Sequence, residues 1–370
     1  QNLKSRDDAD SPDIFLKTAP ALRPTVRQKG TRLRPKWYPP PPVVPATQHQ
    51  KLAVFDRKTL YVGGLDLNDR RYDTPDHQQV GSQTWHDVQV IVDGPVAQEA
   101  EAHLRNFVDA THGKNVPRPT LLLRTISAKR RFPLPYISPK RFVTEICTAH
   151  DVAVDRAQAL IYMETQFFRD KHLAKRLVRR AQKNTDLKLI LILPAAPDDV
   201  AFGDPGSDAA FGEHLQSKCI KILREGFQDR IFIGSPAQRK HVSGSGRDVH
   251  FNAPLIYLHA KVSIFDMTHA IVSSANLNGR SFAWDTEVGV ATQSEDEAQK
   301  LTERCFTHWL GADASPDFYD PILACAAWQD RASDNARLPP LQRRGFILPY
   351  LAGPAEEFGS NLPGAPAELV

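Results

Sequence analysis

The sequence has few cysteines, no long apolar run and little excess charge, and each shortage excludes a class of protein. Four cysteines stand among 370 residues, and none belongs to a CxxC pair, which argues against a zinc site. No stretch of about 18 or more apolar residues occurs, so we expect no transmembrane helix. The net charge of +4 is compatible with a phosphate-bearing ligand but does not demand nucleic acid.

We expect most of the cysteines to be buried free thiols, with one disulfide left open for a secreted protein. The sequence starts at Gln1 rather than Met, and no signal-peptide pattern follows, so we expect a processed or partial chain. The four positions are Cys147, Cys219, Cys305 and Cys325.

Helix-like and strand-like patterns alternate along the chain, which favours a layered α/β fold. A basic, proline-rich lead-in over 1–48, with an extended run at 39–42, precedes the first regular element. The predicted strands are 52–55, 60–62, 85–92, 121–123, 161–163, 187–193, 255–265 and 270–274, and the predicted helices are 95–110, 142–160, 171–183, 210–224 and 295–310.

A motif of the form HxKxxxxD occurs twice, and residue 259 of the second copy follows residue 49 of the first by 210 positions. The same separation continues downstream, where Val62 matches Val272, and Gly63-Gly64 matches Ser273-Ser274. An internal repeat of this kind predicts two similar halves. The motif residues, which are the predicted catalytic residues, are His49, Lys51 and Asp56 in the first copy, and His259, Lys261 and Asp266 in the second.

The motif suits a phosphate diester because residues two apart on a strand share one face. Two such strands related by a pseudo-twofold axis would bring two histidines and two lysines to one point. The lysines would neutralise phosphate oxygens, while one imidazole attacks phosphorus and the other protonates the leaving alkoxide. An aspartate partner would fix a histidine tautomer. No metal or cofactor is needed for this chemistry.

These two motifs resemble the paired HKD signatures of the phospholipase D superfamily, and the flanking sequence is similar to its phosphatidyl-hydrolysing branch. The resemblance covers roughly residues 45–312. The segments that carry it are YVGGLDL at 61–67, RYDT at 71–74, WHDV at 85–88, IYMETQFF at 161–168 and SSANLNGRS at 273–281.

The resemblance implies two similar α/β lobes, each a mixed β-sheet flanked by helices, with the active site at the lobe interface. The predicted division is a lead-in at 1–48, a first lobe at 49–135, a second lobe at 136–312 and a surface tail at 313–370. The resemblance also implies a covalent phosphohistidine, with His49 as the nucleophile and His259 as the acid.

Further site residues follow from the same comparison of halves and flanks. Asn276 would hydrogen-bond a phosphate oxygen, and its repeat mate Asp66 would contact phosphate or orient a lysine. His86 would line the site mouth or be a structural histidine, and His77 is predicted to lie in a loop near the site. The candidates for substrate binding are Asp66, Ser274 and Asn276, and those for a supporting role are Gln166, Glu287 and His86.

The function implied is that of a phospholipase D acting on a phospholipid at a membrane surface, with phosphatidyl transfer to other alcohols as a side activity. A cardiolipin-synthase-like phosphatidyltransferase shares this site and stays open. A nuclease is a less favoured alternative and nucleic acid is not the expected partner, while a non-catalytic lipid-binding relative would not need both motifs complete. The resemblance points to a secreted or delivered bacterial enzyme.

Several elements predicted before the second motif have no counterpart before the first. The strands at 161–163 and 187–193 and the basic helix at 171–183 all precede His259, and nothing similar precedes His49. A sheet without them would have an unpaired edge. We therefore expect the first lobe to be completed by residues before Gln1 or by a companion N-terminal fragment.

Overall fold

The computed structural model describes residues 26–29, 32–35, 46–66, 71–130, 138–363 and 365–370. It divides into two units, of which the smaller spans 1–45 and 130–139 and the larger spans 46–129 and 140–370. In the smaller unit, strands β1 (Val26–Lys29) and β2 (Arg32–Pro35) form an antiparallel pair. The extended connection predicted at 39–42 lies outside the described residues.

The larger unit contains the remaining strands and every helix described below. Its strands are β3 (Leu52–Phe55), β4 (Thr59–Gly63), β5 (Trp85–His86), β6 (Gln89–Asp93), β7 (Leu122–Ala128), β8 (Lys140–Thr144), β9 (Leu160–Thr165), β10 (Lys188–Ile192), β11 (Ile231–Pro236), β12 (Val249–His250), β13 (Ala253–Pro254), β14 (Tyr257–Leu258), β15 (Lys261–Phe265), β16 (His269–Ser273), β17 (Glu287–Ala291) and β18 (Ile347–Pro349).

The α-helices that the structure describes flank these strands. The helix α3 shows why: its residues at helical spacing, from Leu173 to Ala181, are buried, while its basic residues face outward. The Asp170 side chain accepts a hydrogen bond from the Leu173 N–H at 2.7 Å and caps this helix. The helices are α1 (Pro95–Thr111), α2 (Glu145–Arg156), α3 (Lys171–Lys183), α4 (Asp198–Phe202), α5 (Ser207–Phe227), α6 (Gly279–Ala283), α7 (Glu295–Leu310), α8 (Ala324–Arg337) and α9 (Gly353–Phe358).

Two sheets carry the two HxKxxxxD motifs. The larger has nine strands in the order β18-β11-β10-β9-β15-β16-β17-β7-β8, and the smaller has three in the order β3-β4-β6. In the large sheet β9, β10 and β11 run parallel, and their apolar residues are buried on both faces by helices, as parallel strands require. The predicted class, α/β with mixed sheets flanked by helices, is confirmed.

The repeat is visible in the register of the two sheets. Leu52 pairs with Val62 in the first half, and Val262 pairs with Val272 in the second. Each motif strand is thus followed by an antiparallel partner, a third strand and a helix, namely α1 in one half and α7 in the other. The 210-residue separation read from the sequence is therefore a structural equivalence.

Three predicted elements differ from those observed. The strand expected over 85–92 is divided into β5 and β6, because β5 leaves the small sheet and pairs in parallel with β14. The strand expected over 255–265 is likewise divided into β14 and β15. The helix expected over 142–160 is only α2, since the β-branched and aromatic residues before it extend the sheet as β8.

The prediction of a surface tail over 313–370 is wrong. The α8 residue Trp328 is fully buried against the large sheet, and β18 pairs with β11 to form one end of that sheet. Tyr350, which follows β18, is also buried. The apolar residues of this segment are spread in short groups between polar ones, so no long run reveals that they belong to the core.

The cysteines agree with the expectation of free thiols. All four are free, and Cys219, Cys305 and Cys325 are buried. None of the helices in the described part of the chain combines the length and the apolar character needed to cross a bilayer.

The motif strands β3 and β15 differ in their surroundings. The strand β15 lies between β9 and β16, whereas the described residues place only β4 beside β3. Phe55 at the end of β3 is 57% exposed, while its repeat mate Phe265 is 3% exposed. The first half thus presents a strand edge of the kind that proteins usually cover.

We expect amide hydrogen exchange to report this difference. In β15 both edges are bonded, so its amides should be strongly protected. The outward amides of β3 should exchange at least about tenfold faster, because the described part of the chain gives them no ladder partner. Peptides that span 52–55 and 261–265, measured by mass spectrometry in the same sample, provide the comparison. Equal protection of both strands would mean that a segment outside the described residues covers the edge of β3.

Candidate active site

The first motif is held against the second half of the chain by backbone bonds. The His49 N–H donates to the Thr286 carbonyl at 3.0 Å, and the Thr286 N–H donates to the Thr47 carbonyl at 2.9 Å. The Thr47 N–H also donates to Asp285 at 2.7 Å. The segment before β3 therefore runs beside the start of β17, which brings His49 to the second half.

The carboxylate of Glu287, the first residue of β17, orients His49. The imidazole Nδ1 lies 3.0 Å and 3.1 Å from the two carboxylate oxygens, so it donates its proton and leaves Nε2 free. Glu287 is fully buried and also accepts a hydrogen bond from the Ser274 hydroxyl at 2.6 Å. The predicted supporting position of Glu287 thus corresponds to a direct contact with the first histidine.

The second histidine is oriented from the first half. Nδ1 of His259 lies 2.7 Å from a carboxylate oxygen of Asp87, and both side chains are 4% exposed. The pairing of β5 with β14 sets this contact, since the His259 N–H also donates to the His86 carbonyl at 2.8 Å. Asp87 was not among the residues predicted from the sequence.

Asp87 and Glu287 occupy equivalent positions in the repeat. Gly63 pairs with Gln89, and its repeat mate Ser273 pairs with Gly289, so the residue two before each pair is the carboxylate. Each carboxylate therefore binds the histidine of the other half, and we call the two contacts the crossed pairs: His49–Glu287 and His259–Asp87. Extending the repeat to the third strand of each half is the sequence signal that could have found Asp87.

Each motif lysine lies beside its own histidine. Nζ of Lys51 donates to the His49 carbonyl at 2.7 Å and lies 3.3 Å from Asp66, while Nζ of Lys261 donates to the His259 carbonyl. Lys261 also donates to Gln166 at 3.3 Å. An ammonium group has three N–H donors, so these contacts leave each lysine one donor for a ligand.

Arg71 adds a third cation that sequence reasoning did not select. Its guanidinium forms an ion pair with Asp66 and lies 4.7 Å from the ring centre of Trp85. The Trp85 ring in turn lies 4.9 Å from that of His259. Asp66 thus contacts both Lys51 and Arg71. Residues 67–70, which follow it, lie outside the described residues.

The pKa values of the two lysines, His259 and Asp87 are shifted by burial and by one another's charges. Burial lowers the pKa of His259 well below its ordinary value, and the charges of Lys261, Arg71 and Lys51 lower it further. Burial lowers the pKa of Lys261 to about 7, with Asp87 opposing the shift, and burial also lowers the pKa of Lys51. Burial raises the pKa of Asp87 to about 7. Such crowding of cations favours an anionic ligand, which would restore the charge.

The remaining predicted residues lie in or around this cluster. Asn276 is buried, and its side-chain oxygen accepts no hydrogen bond within the described residues. Gln166 joins Lys261 to the Tyr257 hydroxyl, to which its amide donates at 2.7 Å. His86 points away from the crossed pairs, and its ring stacks on His308 at a centroid distance of 4.3 Å.

The expectation that the motif aspartates pair with the histidines is corrected. Asp266 accepts the N–H groups of Gln158, Ala159 and Leu160 at 2.7–3.0 Å, at the end of β15 remote from the histidine. Five residues of strand separate it from Lys261, roughly 16 Å. Asp56 lies exposed in the corresponding turn of the first half, with φ of 50°. The motif aspartates therefore shape turns, and other carboxylates serve the histidines.

The site thus combines two crossed histidine–carboxylate pairs with two lysines. In comparison with known families, residues 152–309 match the family described as "Cardiolipin synthase, PLD-like domain". Cattle phospholipase D2 is 26% identical over 80% of this chain and 39% of its own length. Phospholipase D A of Dictyostelium discoideum is 23% identical over 70% of this chain and 25% of its own length.

Among solved structures, phosphatidylserine synthase of Haemophilus influenzae aligns with 78% of this chain and 69% of its own, at 13% identity and a TM-score of 0.44. The chain thus spans well under half the length of the two curated relatives it matches above. The family match, the relatives and the two complete motifs support membership of this chain in the phospholipase D superfamily.

The turn role of Asp266 can be tested by comparison with its repeat mate. In Asp266→Asn one carboxylate oxygen becomes an NH₂ group that faces a backbone N–H, so we expect a loss of about 1–3 kcal/mol in the free energy of unfolding. In Asp56→Asn, where the side chain is exposed and Asn tolerates positive φ, the urea midpoint should stay unchanged. Equal shifts of the urea midpoint in the two variants would contradict this assignment.

Proposed function

We propose that this chain carries the active site of a phospholipase D, which hydrolyses the distal phosphodiester bond of a glycerophospholipid to phosphatidic acid and a head-group alcohol. The observation that supports it best is the pair of crossed contacts, because they present two imidazole Nε2 atoms beside two lysines. Such a site offers a nucleophile, an acid and charge neutralisation for one phosphate.

In the first step, Nε2 of His49 attacks phosphorus and forms a P–N bond. The P–O bond to the head group breaks, and the leaving alkoxide takes the proton from Nε2 of His259. His259 carries this second proton once the bound phosphate diester offsets the cations that otherwise lower its pKa. Lys51 and Lys261 bind the non-bridging oxygens, with Arg71 adding charge. The assignment of attack to His49 rests on the resemblance, and its greater side-chain exposure, 27% against 4%, agrees with a group that meets the substrate first.

In the second step, His259 takes a proton from water, and the resulting hydroxide attacks the phosphohistidine. The P–N bond breaks, phosphatidic acid leaves, and both imidazoles return to their starting state. Any alcohol that reaches the intermediate can replace water, which gives transphosphatidylation. Glu287 and Asp87 hold the Nδ1 protons throughout and stabilise an imidazolium when it forms.

A lipid surface is the setting that we propose for this reaction. Tyr72 follows Arg71 directly and is 85% exposed, and Val80 in the same loop is also exposed. An amphipathic ring beside the site suits the boundary between head groups and acyl chains. The resemblance adds secretion or delivery by a bacterium, and the partner strand for β3 could come from a companion N-terminal fragment.

A phosphatidyltransferase of the cardiolipin-synthase kind is the second candidate, favoured by the description of the matching family. It would use the same crossed pairs, with a lipid alcohol in place of water. Product analysis of phosphatidylglycerol vesicles separates the two. Phosphatidic acid as the main product supports the hydrolase, and cardiolipin with free glycerol supports the transferase. Degradation of plasmid DNA instead of lipid would favour a nuclease.

The histidine roles can be tested by trapping the intermediate. We expect His49→Ala and His259→Ala each to lose at least about 1,000-fold in head-group release from choline- and ethanolamine-containing lipids. Rapid quenching with a phosphorus-labelled lipid should trap label on His49 in the His259→Ala enzyme. Label found on His259 in the His49→Ala enzyme, and none in the other variant, would reverse the assignment, and full activity of both variants would refute the mechanism.

The crossed pairs predict matched losses from the two halves. Asp87→Asn and Glu287→Gln should each lower kcat about 100-fold or more, because an amide oxygen no longer stabilises an imidazolium. The KM for lipid should change little, since neither carboxylate contacts the substrate. Asp56→Asn, an exposed carboxylate of the first motif, serves as the matched control. Loss in only one of the two variants would contradict the reciprocal arrangement.

A further inference from the structure

Three histidines outside the crossed pairs converge from separate segments of the larger unit. His77 lies in the loop before β5, His86 lies on β5, and His308 lies in the last turn of α7. One ring nitrogen of each can be chosen so that all three lie within 4.8 Å of one another. Sequence reasoning placed His77 and His86 near the site mouth but did not connect them with His308.

A carboxylate sets the tautomer of His77 and leaves its other ring nitrogen facing His308. Nδ1 of His77 lies 2.8 Å from Asp73, so it donates there, and Nε2 carries a lone pair. That atom lies 3.0 Å from Nε2 of His308. A carboxylate bonded to the outer nitrogen of a histidine is the usual support of a metal ligand.

His86 supplies the second, independent observation. Its Nε2 is buried and has no hydrogen bond of ordinary length among the described residues, although a carboxylate oxygen of Glu164 lies 3.9 Å away. A proton between His77 and His308 would satisfy those two nitrogens but would leave His86 with this long contact. Buried polar groups without a partner are rare and costly, so a ligand shared by all three rings accounts for the cluster better than a pair does.

Charge points to a divalent cation. Asp73 and Glu164 are buried carboxylates beside the cluster, and Glu164 lies 3.9 Å from Nε2 of His86. In the described part of the chain, neither carboxylate forms an ion pair with a lysine or an arginine. Three neutral imidazoles, two carboxylates and one divalent ion would have no net charge, which a buried site favours.

From this geometry we propose that His77, His86 and His308 bind one zinc-class divalent ion. Imidazole nitrogens at about 2.0–2.1 Å are ordinary zinc ligands, and two of them on a tetrahedral ion stand about 3.3 Å apart. The His77 and His308 nitrogens are 3.0 Å apart, and all three lie within 4.8 Å, so a small rotation of the rings would bring them onto one ion. Three protein ligands leave a fourth position for water. His86 and His308 also line a groove of about 960 Å³, which provides a path for the ion.

The ion would cross-link the two halves of the chain, and we call this cross-link the clamp. His77 and His86 belong to the first half, and His308 belongs to the helix α7 of the second. The His86 carbonyl accepts the His259 N–H, and Asp87 follows His86 directly. The clamp therefore fixes the segment that carries one of the crossed pairs, and the three histidines are positioning residues, distinct from the proposed chemistry.

The test is metal binding by the full chain, purified without a histidine tag and freed of metal with a chelator. Titration with Zn²⁺ against a chromophoric chelator should show one tight equivalent. His86→Gln and His308→Gln should each weaken binding at least about 100-fold, and Asp73→Asn about 10- to 100-fold. His172→Gln, an exposed histidine beside Asp151, should bind zinc as the unmodified chain does.

Two results would overturn the proposal. One is the absence of a tight equivalent in the unmodified chain, and the other is unchanged affinity in folded His86→Gln and His308→Gln. If these variants do not fold, Co²⁺ added to the unmodified chain decides. An intense visible spectrum of tetrahedral, nitrogen-ligated cobalt supports the site, and the weak spectrum of hydrated cobalt refutes it. None of these measurements depends on activity toward lipid.

Discussion

Two buried carboxylates, each bonded to a histidine from the other half of the chain, are the contacts on which the candidate site depends. Glu287 and Asp87 are almost fully removed from water, and an unpaired carboxylate in such a place is costly. Each finds its partner only when the two halves are in register. The arrangement of β17 beside the segment before β3, and of β5 beside β14, follows from this requirement.

The electrostatic state of the site follows from the same contacts. Lys51, Lys261 and Arg71 lie close to the histidines, and their charges are opposed by Asp66 and the two crossed carboxylates. Burial therefore lowers the pKa of Lys261 to about 7, and that of His259 falls as well. An incoming phosphate diester supplies the negative charge that this cluster lacks, so binding and the charging of the lysines favour each other.

The sequence predicted the motif residues of this site well because the repeat is local. His49 and Lys51, like His259 and Lys261, alternate on a strand, and strand geometry alone puts them on one face. Asp87 was missed because its equivalence with Glu287 depends on how third strands pair, which spacing from the motif does not reveal. The motif aspartates were wrongly assigned to the histidines because they are close in sequence. Five residues of extended strand carry each aspartate to the far end of the strand, away from its histidine.

The fold was predictable where apolar periodicity is strong and not where burial is spread over short segments. The helices α3 and α7 were predicted with the observed bounds, because their apolar faces and capping residues are regular. The chain around Trp328 and Tyr350 was taken for surface because its apolar residues are scattered. The division of β5 from β6 was also missed, since it reflects a contact with β14, more than 160 residues away.

The crossed pairs also constrain when a site can exist during synthesis. Glu287 is added 238 residues after His49, whereas Asp87 precedes His259 by 172 residues. At about 5–20 residues per second, the ribosome takes roughly 10–50 s to supply the carboxylate that orients His49. During this time His49 has no carboxylate to bind. When His259 is synthesised, by contrast, Asp87 is already part of the chain. Products truncated before β17 carry the complete first motif but no means of orienting it.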